Sequence, residues 1–454
     1  MSQRDKTIWG VVIVVSALLR LAIVTSYAAP AGDGHQYYRL SQALIAGGRF
    51  AYGESLPPTW TRLPGYPLFL AAIVHERFPL WAHLVRATRA NALLDVGSAL
   101  LIVAILRRRG ARLLVQALAY AFVILCPPLV YLSCYGLSES LATFLFVLEV
   151  YFALRTLDGG HALRDACLAG FVAGLAQLTR VDAVTALPAV LVAVAAAKVP
   201  WHARLQRLAA FALVAALTFA PWPLRNLHRF GALHWEGSEW LTQTGEPEPT
   251  GLMQWMRSWS GGEAGGRFVL LRMSNRADID TQSPYEVLPR MYDSPHEYAQ
   301  VVAMFRRYNV EGLSPTVDRA LTELAAERAH SHRLRQNLVL PAERLVALWT
   351  PLPESELPMV TVLLHLPEWR HVYDVWLLAL MALALPGAIF SWRRDRTLAL
   401  ALLSTIAFRS LVHARFAHPC PTQRYVAELM PFVMLLAAEG VARLASLRRR
   451  PPAT

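Results

Sequence analysis

Charge is scarce in this sequence. Of 454 residues only 17% are Asp, Glu, Lys or Arg, against 55% apolar or aromatic, where a soluble chain carries roughly a quarter charged residues. Together with a mean hydropathy of +0.34, this excludes an intrinsically disordered chain and argues against a soluble multidomain protein. Lysine is nearly missing, occurring only at Lys6 and Lys198, so the excess of 44 Lys plus Arg over 32 Asp plus Glu is an excess of arginine. The resulting net charge of +12 forms no nucleic-acid-binding stripe, because the arginines sit in short clusters between apolar runs, and no nucleic acid is expected as a partner. Four scattered cysteines make neither a disulfide framework nor a metal-spaced cluster. There is no internal repeat and no low-complexity tract.

What the chain does have is long apolar runs. A hydrocarbon core about 30 Å thick needs about 20 apolar residues to cross it. Ile8–Ala29 is the clearest candidate; it is too long, and lacks the small-residue cleavage site, for a removed signal peptide. Leu84–Leu106, Leu113–Cys134, Leu137–Leu154, Ala166–Leu178, Ala183–Ala197, Leu208–Trp222, Val372–Trp392, Leu398–Val412 and Val426–Val441 follow. About ten spans are expected, with kinks or splits at Pro127, Pro128, Pro188 and Pro386.

Alternate connections are rich in arginine: Arg107 to Arg109 with Arg112, Arg155 and Arg164, Arg204 and Arg207 beside Lys198, Arg393 to Arg396, and Arg448 to Arg450. By the positive-inside rule these face the cytoplasm, with both termini, and the long hydrophilic segments 30–83 and 225–370 lie outside. The expected organisation is a membrane module over 1–224, an extracytoplasmic domain over 225–370 and C-terminal spans over 371–454. Within the outer domain, Ser314-Pro315-Thr316 opens a helix with Val317, Leu321, Leu324 and Ala325 on one face. Pro341–Leu352 reads as amphipathic, with Leu345, Leu348 and Trp349 suited to the membrane interface.

The first outer loop carries the densest signal. Gly32-Asp33-Gly34-His35-Gln36-Tyr37-Tyr38-Arg39-Leu40 opens a short helix ending at Gly47-Gly48, and Arg62-Leu63-Pro64-Gly65-Tyr66-Pro67 comes later. On residue type alone Asp33 reads first as the N-cap of that helix, with the glycine pair at its C-terminal end. Within the spans, Arg20 and Asp95 each lie about nine to eleven residues from the outer boundary, so a rise of about 1.5 Å per residue brings them to the same depth. A lone charge there costs about 2.5–3.5 kcal/mol, and a structural ion pair is expected.

Taken in order, these motifs resemble the GT-C glycosyltransferases, most nearly the protein O-mannosyltransferases and the aminoarabinose transferases of lipid A. The resemblance rests on Asp33 just after the first span, Arg-x-Pro-x-Tyr-Pro at Arg62 to Pro67, Leu137-Ser138-Glu139, Leu178-Thr179-Arg180, Pro221 to Asn226, Glu327-Arg328 through Arg344–Trp349, and Arg424-Tyr425 with Pro431. It implies an all-α polytopic membrane fold with a mixed extracytoplasmic domain. It also implies transfer of a sugar from a polyprenyl-phosphate carrier of undecaprenyl type to an extracytoplasmic protein, lipid A or surface glycan. The membrane would be the bacterial inner membrane, with the active site on its periplasmic side. Asp33 is then the general base of an inverting reaction. Arg62, Arg180, Arg225 and Arg424 are candidates for the departing phosphate, and Tyr66 and Tyr425 either line the sugar pocket or belong to an interfacial aromatic belt. One departure is that Gly34 stands where many members carry a second acidic residue. No cofactor is assigned; a divalent cation is left open, with Glu54 and Glu139 as the carboxylates located to help hold it. Asp278-x-Asp280 and the loop of His413, His418 and Cys420 carry metal-like spacing in the wrong context. The competing reading is a polytopic transporter or lipid-linked-sugar flippase, but those usually show repeated halves and broken helices meeting at the midplane.

Overall fold

A computed structural model describes residues 3–28, 32–74, 76–237, 250–262, 290–312, 314–350, 369–416 and 423–448. Its chain forms two compact units: Met1–Gly237 with Pro351–Phe408 and Ala427–Thr454, and Ser238–Thr350 with Arg409–Val426. The motif residues Asp278, Asp280, His418 and Cys420 lie outside the described residues.

The first unit opens with a long apolar helix, α1 (Gln3–Ser26), followed by two short helices of the first loop, α2 (Gly32–Gly47) and α3 (Gly65–Val74). Then come α4 (Leu80–Arg108), α5 (Leu113–Ile124), α6 (Pro127–Ser133), α7 (Glu139–Arg155), α8 (Ala162–Thr179), α9 (Leu187–Ala196), α10 (Trp201–Phe219) and α11 (Pro221–Phe230). The second unit supplies α12 (Thr250–Trp259), α13 (Pro295–Glu311), α14 (Pro315–Ser331) and α15 (Leu340–Trp349). The chain closes with α16 (Trp369–Arg394), α17 (Arg396–Arg415) and α18 (Met430–Arg448). Among the described residues no strand forms beyond a single bridge between Ala51 and Pro58. The protein is therefore an all-helical polytopic membrane protein.

Among the described residues seven helical stretches are long and apolar enough to cross a membrane, or eight if the pair α5–α6, bent by 45°, is one span. The bend falls at Pro127-Pro128, which occupy the first turn of α6 and cannot donate backbone hydrogen bonds back across the break. Pro386, in contrast, lies inside a continuous α16. The stretches expected at Ala166–Leu178 and Ala183–Ala197 are not among these spans: the first falls in the 18-residue α8, and the second in Val181–Ala196, a shorter apolar helix that joins a 3₁₀ turn to α9. Only 11% of the apolar window of α1 is buried against 83% of that of the last span, so α1 is peripheral and α18 central. Close crossings are made by glycine. A Cβ at Gly170 would enter the Phe211 carbonyl and one at Gly174 would meet Thr218 and the Ala215 carbonyl, so this Gly-x-x-x-Gly face seats α8 directly on α10.

Charges in this unit collect in layers. At one end, Arg109 holds Asp395, Arg394 holds Glu439, Arg108 holds Asp158 and Arg155 holds Asp165. These are the arginine-rich connections, and they share the end of α4 opposite to the first loop, whose Ser41 and Gln42 meet His83 at the start of α4. Between the two ends, Arg20 Nη2 donates to Asp95 Oδ2 at 2.8 Å, both side chains buried. Replacing Arg20 by Leu strands the Asp95 carboxylate, and we expect a loss of about 3–5 kcal/mol. Arg20→Leu with Asp95→Leu should recover most of it, as read by the denaturation midpoint of detergent-purified protein; equal losses in the single and double variants would contradict the pairing.

In the second unit Ser314 caps α14, accepting from the Val317 amide at 3.2 Å, and Val317, Leu321, Leu324 and Ala325 are buried as one face. They pack with Trp255, Trp259, Met256, Val301 and Phe305 in a single apolar core. Glu297, one turn into α13, turns back to the Asp293 amide while Ser294 accepts from its own, a capping-box-like start. Its other oxygen receives the buried Arg328 guanidinium at 2.6 Å.

Candidate active site

Helix α2 sets Asp33, Gln36 and Tyr37 three and four residues apart, which brings them to one face. Asp33 sits in the first turn, where the helix dipole favours a carboxylate. The segment before α3 brings Arg62 onto that face: its Nη2 donates to Asp33 Oδ1 at 2.9 Å and its Nε to Gln36 Oε1 at 2.6 Å. Arg62 is 8% exposed in its side chain, whereas Asp33 keeps 28%. The carboxylate is thus the open end of an otherwise enclosed pair.

A polar relay fixes Arg62 from behind. Tyr52 Oη donates to Gln36 Oε1 at 3.3 Å and meets Thr61 Oγ1 at 2.8 Å, and Thr61 Oγ1 meets Thr59 Oγ1 at 2.9 Å. Arg225, on α11, donates to the Thr59 carbonyl at 2.8 Å and to Asn226 Oδ1 at 2.7 Å. Its guanidinium lies 5.1 to 5.7 Å from the rings of Trp222, Phe230 and Phe50, close enough for cation–π attraction. His234 stacks on Trp60 at 3.8 Å and hands its carbonyl to Asn226 Nδ2. Arg225 therefore braces the loop that carries Arg62.

Beneath the pair, Tyr37 and Tyr66 meet edge to face at 5.1 Å, and Tyr66 exchanges hydrogen bonds with Asn91, which also holds the Leu137 carbonyl. Tyr66 is fully buried, a floor rather than an open pocket wall. Burial pushes the phenols of Tyr37, Tyr52 and Tyr66 above the ordinary tyrosine range. None of the three is a base at neutral pH, which leaves Asp33 as the carboxylate at this opening.

A second cluster surrounds Arg180, in the turn after α8. Its Nη1 reaches Glu139 at 3.2 Å, its Nε Glu428 at 3.2 Å, and its Nε and Nη2 both oxygens of Asp182 at 3.2 Å. Burial works against this charge, but Asp182, Glu428 and Glu139 outweigh it and hold the arginine well above its ordinary value. Arg180 is thus committed to three carboxylates and ties the start of α7 to the turn before α9 and to the segment entering α18. Glu139 is buried in this cluster, while Glu54 is exposed and pairs with Arg77 at 2.5 Å. Among the described residues no three His, Cys, Asp or Glu side chains are grouped to hold a metal ion.

Of the residues singled out in the sequence, Asp33, Arg62, Tyr66, Glu139, Arg180 and Arg225 belong to the first unit, and Arg424 and Tyr425 to the second. There the Tyr425 carbonyl accepts from Arg409 Nε at 2.9 Å and its ring leans on His413. Gln36, Tyr52, Asn91, Asp182 and Glu428 escaped the sequence reading. Gln36 alone had a local signal, one turn beyond Asp33; the others depend on contacts between distant segments.

No protein-family model matches the sequence, and no curated protein matches it. Among solved structures the chain is similar to ArnT from Cupriavidus metallidurans, solved bound to undecaprenyl phosphate: 17% identity, TM-score 0.43, 99% of this chain and 82% of that one. The apo state of the same protein gives 16% identity, TM-score 0.42, and 97% and 79% coverage. It is also similar to the archaeal oligosaccharyltransferase AglB from Archaeoglobus fulgidus, solved with an inhibitory peptide and a dolichol-phosphate: 12% identity, TM-score 0.49, 99% of this chain and 52% of that one. This chain spans about half the length of that oligosaccharyltransferase. The likeness concerns the course of the chain alone.

Replacing Arg180 by Met leaves three carboxylates without their shared cation, and an uncompensated buried charge costs about 3–5 kcal/mol. The loss should shrink as pH falls, because protonating a carboxyl removes the charge that has lost its partner. Denaturation midpoints of Arg180→Met and the parent protein from neutral to acid pH check this; a deficit independent of pH would contradict it.

Proposed function

We infer that the protein is an inverting glycosyltransferase that moves a sugar from a polyprenyl-phosphate donor of undecaprenyl type to an acceptor hydroxyl outside the cytoplasm. The observation that carries this reading is the Asp33–Arg62 pair, a partly open carboxylate against an enclosed guanidinium, 2.9 Å apart at the loop end of the bundle. The order of motifs along the chain supports the same reading. The arginine-rich connections gather at the opposite end, which supports a cytoplasmic assignment for that end and a periplasmic one for the loop, in the bacterial inner membrane. Nucleotide sugars are made on the cytoplasmic side; a lipid-linked sugar already flipped across the membrane fits an outward-facing site.

The chemistry divides between the two partners. Arg62 offers paired N–H donors to the donor phosphate, and an arriving phosphate competes with Asp33 for them. Asp33, relieved of its counter-ion, accepts the proton of the acceptor hydroxyl. The hydroxyl oxygen attacks the anomeric carbon from the face opposite the phosphate, the carbon–oxygen bond to the phosphate breaks, and polyprenyl phosphate leaves with that electron pair. Arg225 keeps the Arg62 loop in position through the Thr59 carbonyl. Arg180 is assigned a positioning role, since its donors already face carboxylates. Among the described residues neither Glu139 nor Glu54 belongs to a group fit to hold a metal.

General-base catalysis contributes about 10²–10⁴-fold, so Asp33→Asn should lower the rate of polyprenyl-phosphate release by about that factor with the denaturation midpoint kept within about 1 kcal/mol. Turnover at the parent rate by a folded Asp33→Asn protein would overturn the assignment.

A further inference from the structure

In the second unit, large apolar side chains are exposed where water should oppose them. Among its described residues Tyr298, Val310, Leu334, Leu338, Val339, Val346, Leu411 and Phe416 are exposed. Six of these eight belong to two neighbouring stretches, the helical run from Leu334 to Trp349 and the last turns of α17. Leu334, Leu338 and Val346, at 69%, 63% and 67% exposure, recur with the exposed Ala342 at four-residue spacing, which makes one stripe along the helix. The opposite face is buried through Leu340, Arg344 and Leu348. A five-residue π turn, Arg335–Val339, includes the second residue of the stripe, Leu338; such turns are frequent at functional positions in helices.

The stripe is fastened to the end of a membrane span at three levels. Arg415 Nη2 donates to Asn337 Oδ1 at 3.0 Å, Arg344 Nη1 to the Ala414 carbonyl at 3.4 Å, and Trp349 Nε1 to Ser410 Oγ at 3.1 Å. From Asn337 to Trp349 the contact thus moves five residues back along α17, about 7.5 Å at 1.5 Å per residue. The helix thus crosses α17 obliquely, with Asn337 beside its last residue and Trp349 beside Ser410. Amphipathic helices in a bilayer surface lie about 5–10 Å into the boundary between headgroups and acyl chains. Leu411 on α17 and Phe416 just past its end are exposed as well. Charge varies along the helix too: Arg333 and Arg415 are exposed at the Asn337 end, while Glu343, farther along, is neutralised by Arg290 at 2.8 Å.

We propose that the run Leu334–Trp349 is a lipid-docking arm. Its stripe Leu334, Leu338, Ala342 and Val346 is buried in the phospholipid leaflet where α17 ends, with Arg333 and Arg415 against headgroup phosphates. The inner face differs from the one its sequence suggests, because Leu348 and Arg344 turn into the protein. The arm fixes the second unit at the membrane surface independently of any catalytic assignment.

The test uses the full-length protein with its four cysteines replaced, and single cysteines introduced as Leu338→Cys, Val346→Cys and, as an exposed control off the stripe, Val310→Cys. Each carries an environment-sensitive fluorophore in nanodiscs of phosphatidylethanolamine and phosphatidylglycerol containing nitroxide-labelled lipid. Nitroxide lipid should quench the labels at 338 and 346 by at least about twofold, that at 346 from a deeper nitroxide, and leave 310 to aqueous iodide. Iodide quenching at 346 equal to that at 310 would overturn the proposal. A blue-shifted label at 346 that neither quencher reaches would overturn it in favour of a protein partner.

Discussion

Inside a helical bundle surrounded by hydrocarbon, a charge has to meet its opposite within the protein, since moving one charged side chain to that depth costs about 2.5–3.5 kcal/mol or more. The first unit is arranged around this constraint. Arg20 and Asp95 satisfy it midway along the spans. At the two ends, where the chain leaves the hydrocarbon, Arg109, Arg394 and Arg108 pair with carboxylates on one side and Arg62 and Arg180 on the other. Each pair also ties separate segments, so the same interactions that make burial tolerable fix which helix lies beside which.

The two clusters at the loop end answer the constraint in different ways, and the difference separates support from chemistry. Arg180 is enclosed by three carboxylates, more anion than one guanidinium neutralises, and a phosphate would gain nothing by approaching it. Among the described residues Arg62 pairs with the Asp33 carboxylate, which still touches solvent, so an incoming anion can compete for the same donors. Behind Arg62 stands a continuous run of hydroxyl, amide and aromatic contacts from Tyr52 through Thr61 and Thr59 to Arg225. A guanidinium held in this way keeps its direction when its partner changes, which is what preorganised stabilisation of a leaving group requires.

Much of this frame was legible in the sequence, for definite reasons. Apolar length and the alternation of arginine clusters give the spans and their two ends, because hydrocarbon thickness and charge act on short windows. Equal depths bring Arg20 and Asp95 to one level before any contact is seen, and the pair is 2.8 Å apart. Ser314-Pro315 marks the start of α14, and the Val317, Leu321, Leu324 and Ala325 face is its buried side. Other features were hidden. Gly170 and Gly174 sit in a run that reads as one more span, with no local sign that they seat α8 on α10. The carboxylates of Arg180 come from segments more than forty residues apart in one case and more than two hundred in another, and no local spacing encodes such a meeting. Leu348 reads as an interfacial residue, but Arg344, one turn earlier on the same helix, donates to the carbonyls of Arg257 and Ser260 and turns that face inward.

The account rests on a hydroxyl attacking opposite a departing lipid phosphate, and the configuration of the product records that geometry directly. Purified protein supplied with a lipid-linked sugar of known anomeric configuration and an acceptor glycan or peptide should release polyprenyl phosphate and give a product whose anomeric centre, read by proton NMR coupling, is inverted relative to the donor. A retained configuration, or a donor consumed only when nothing is transferred, would contradict it.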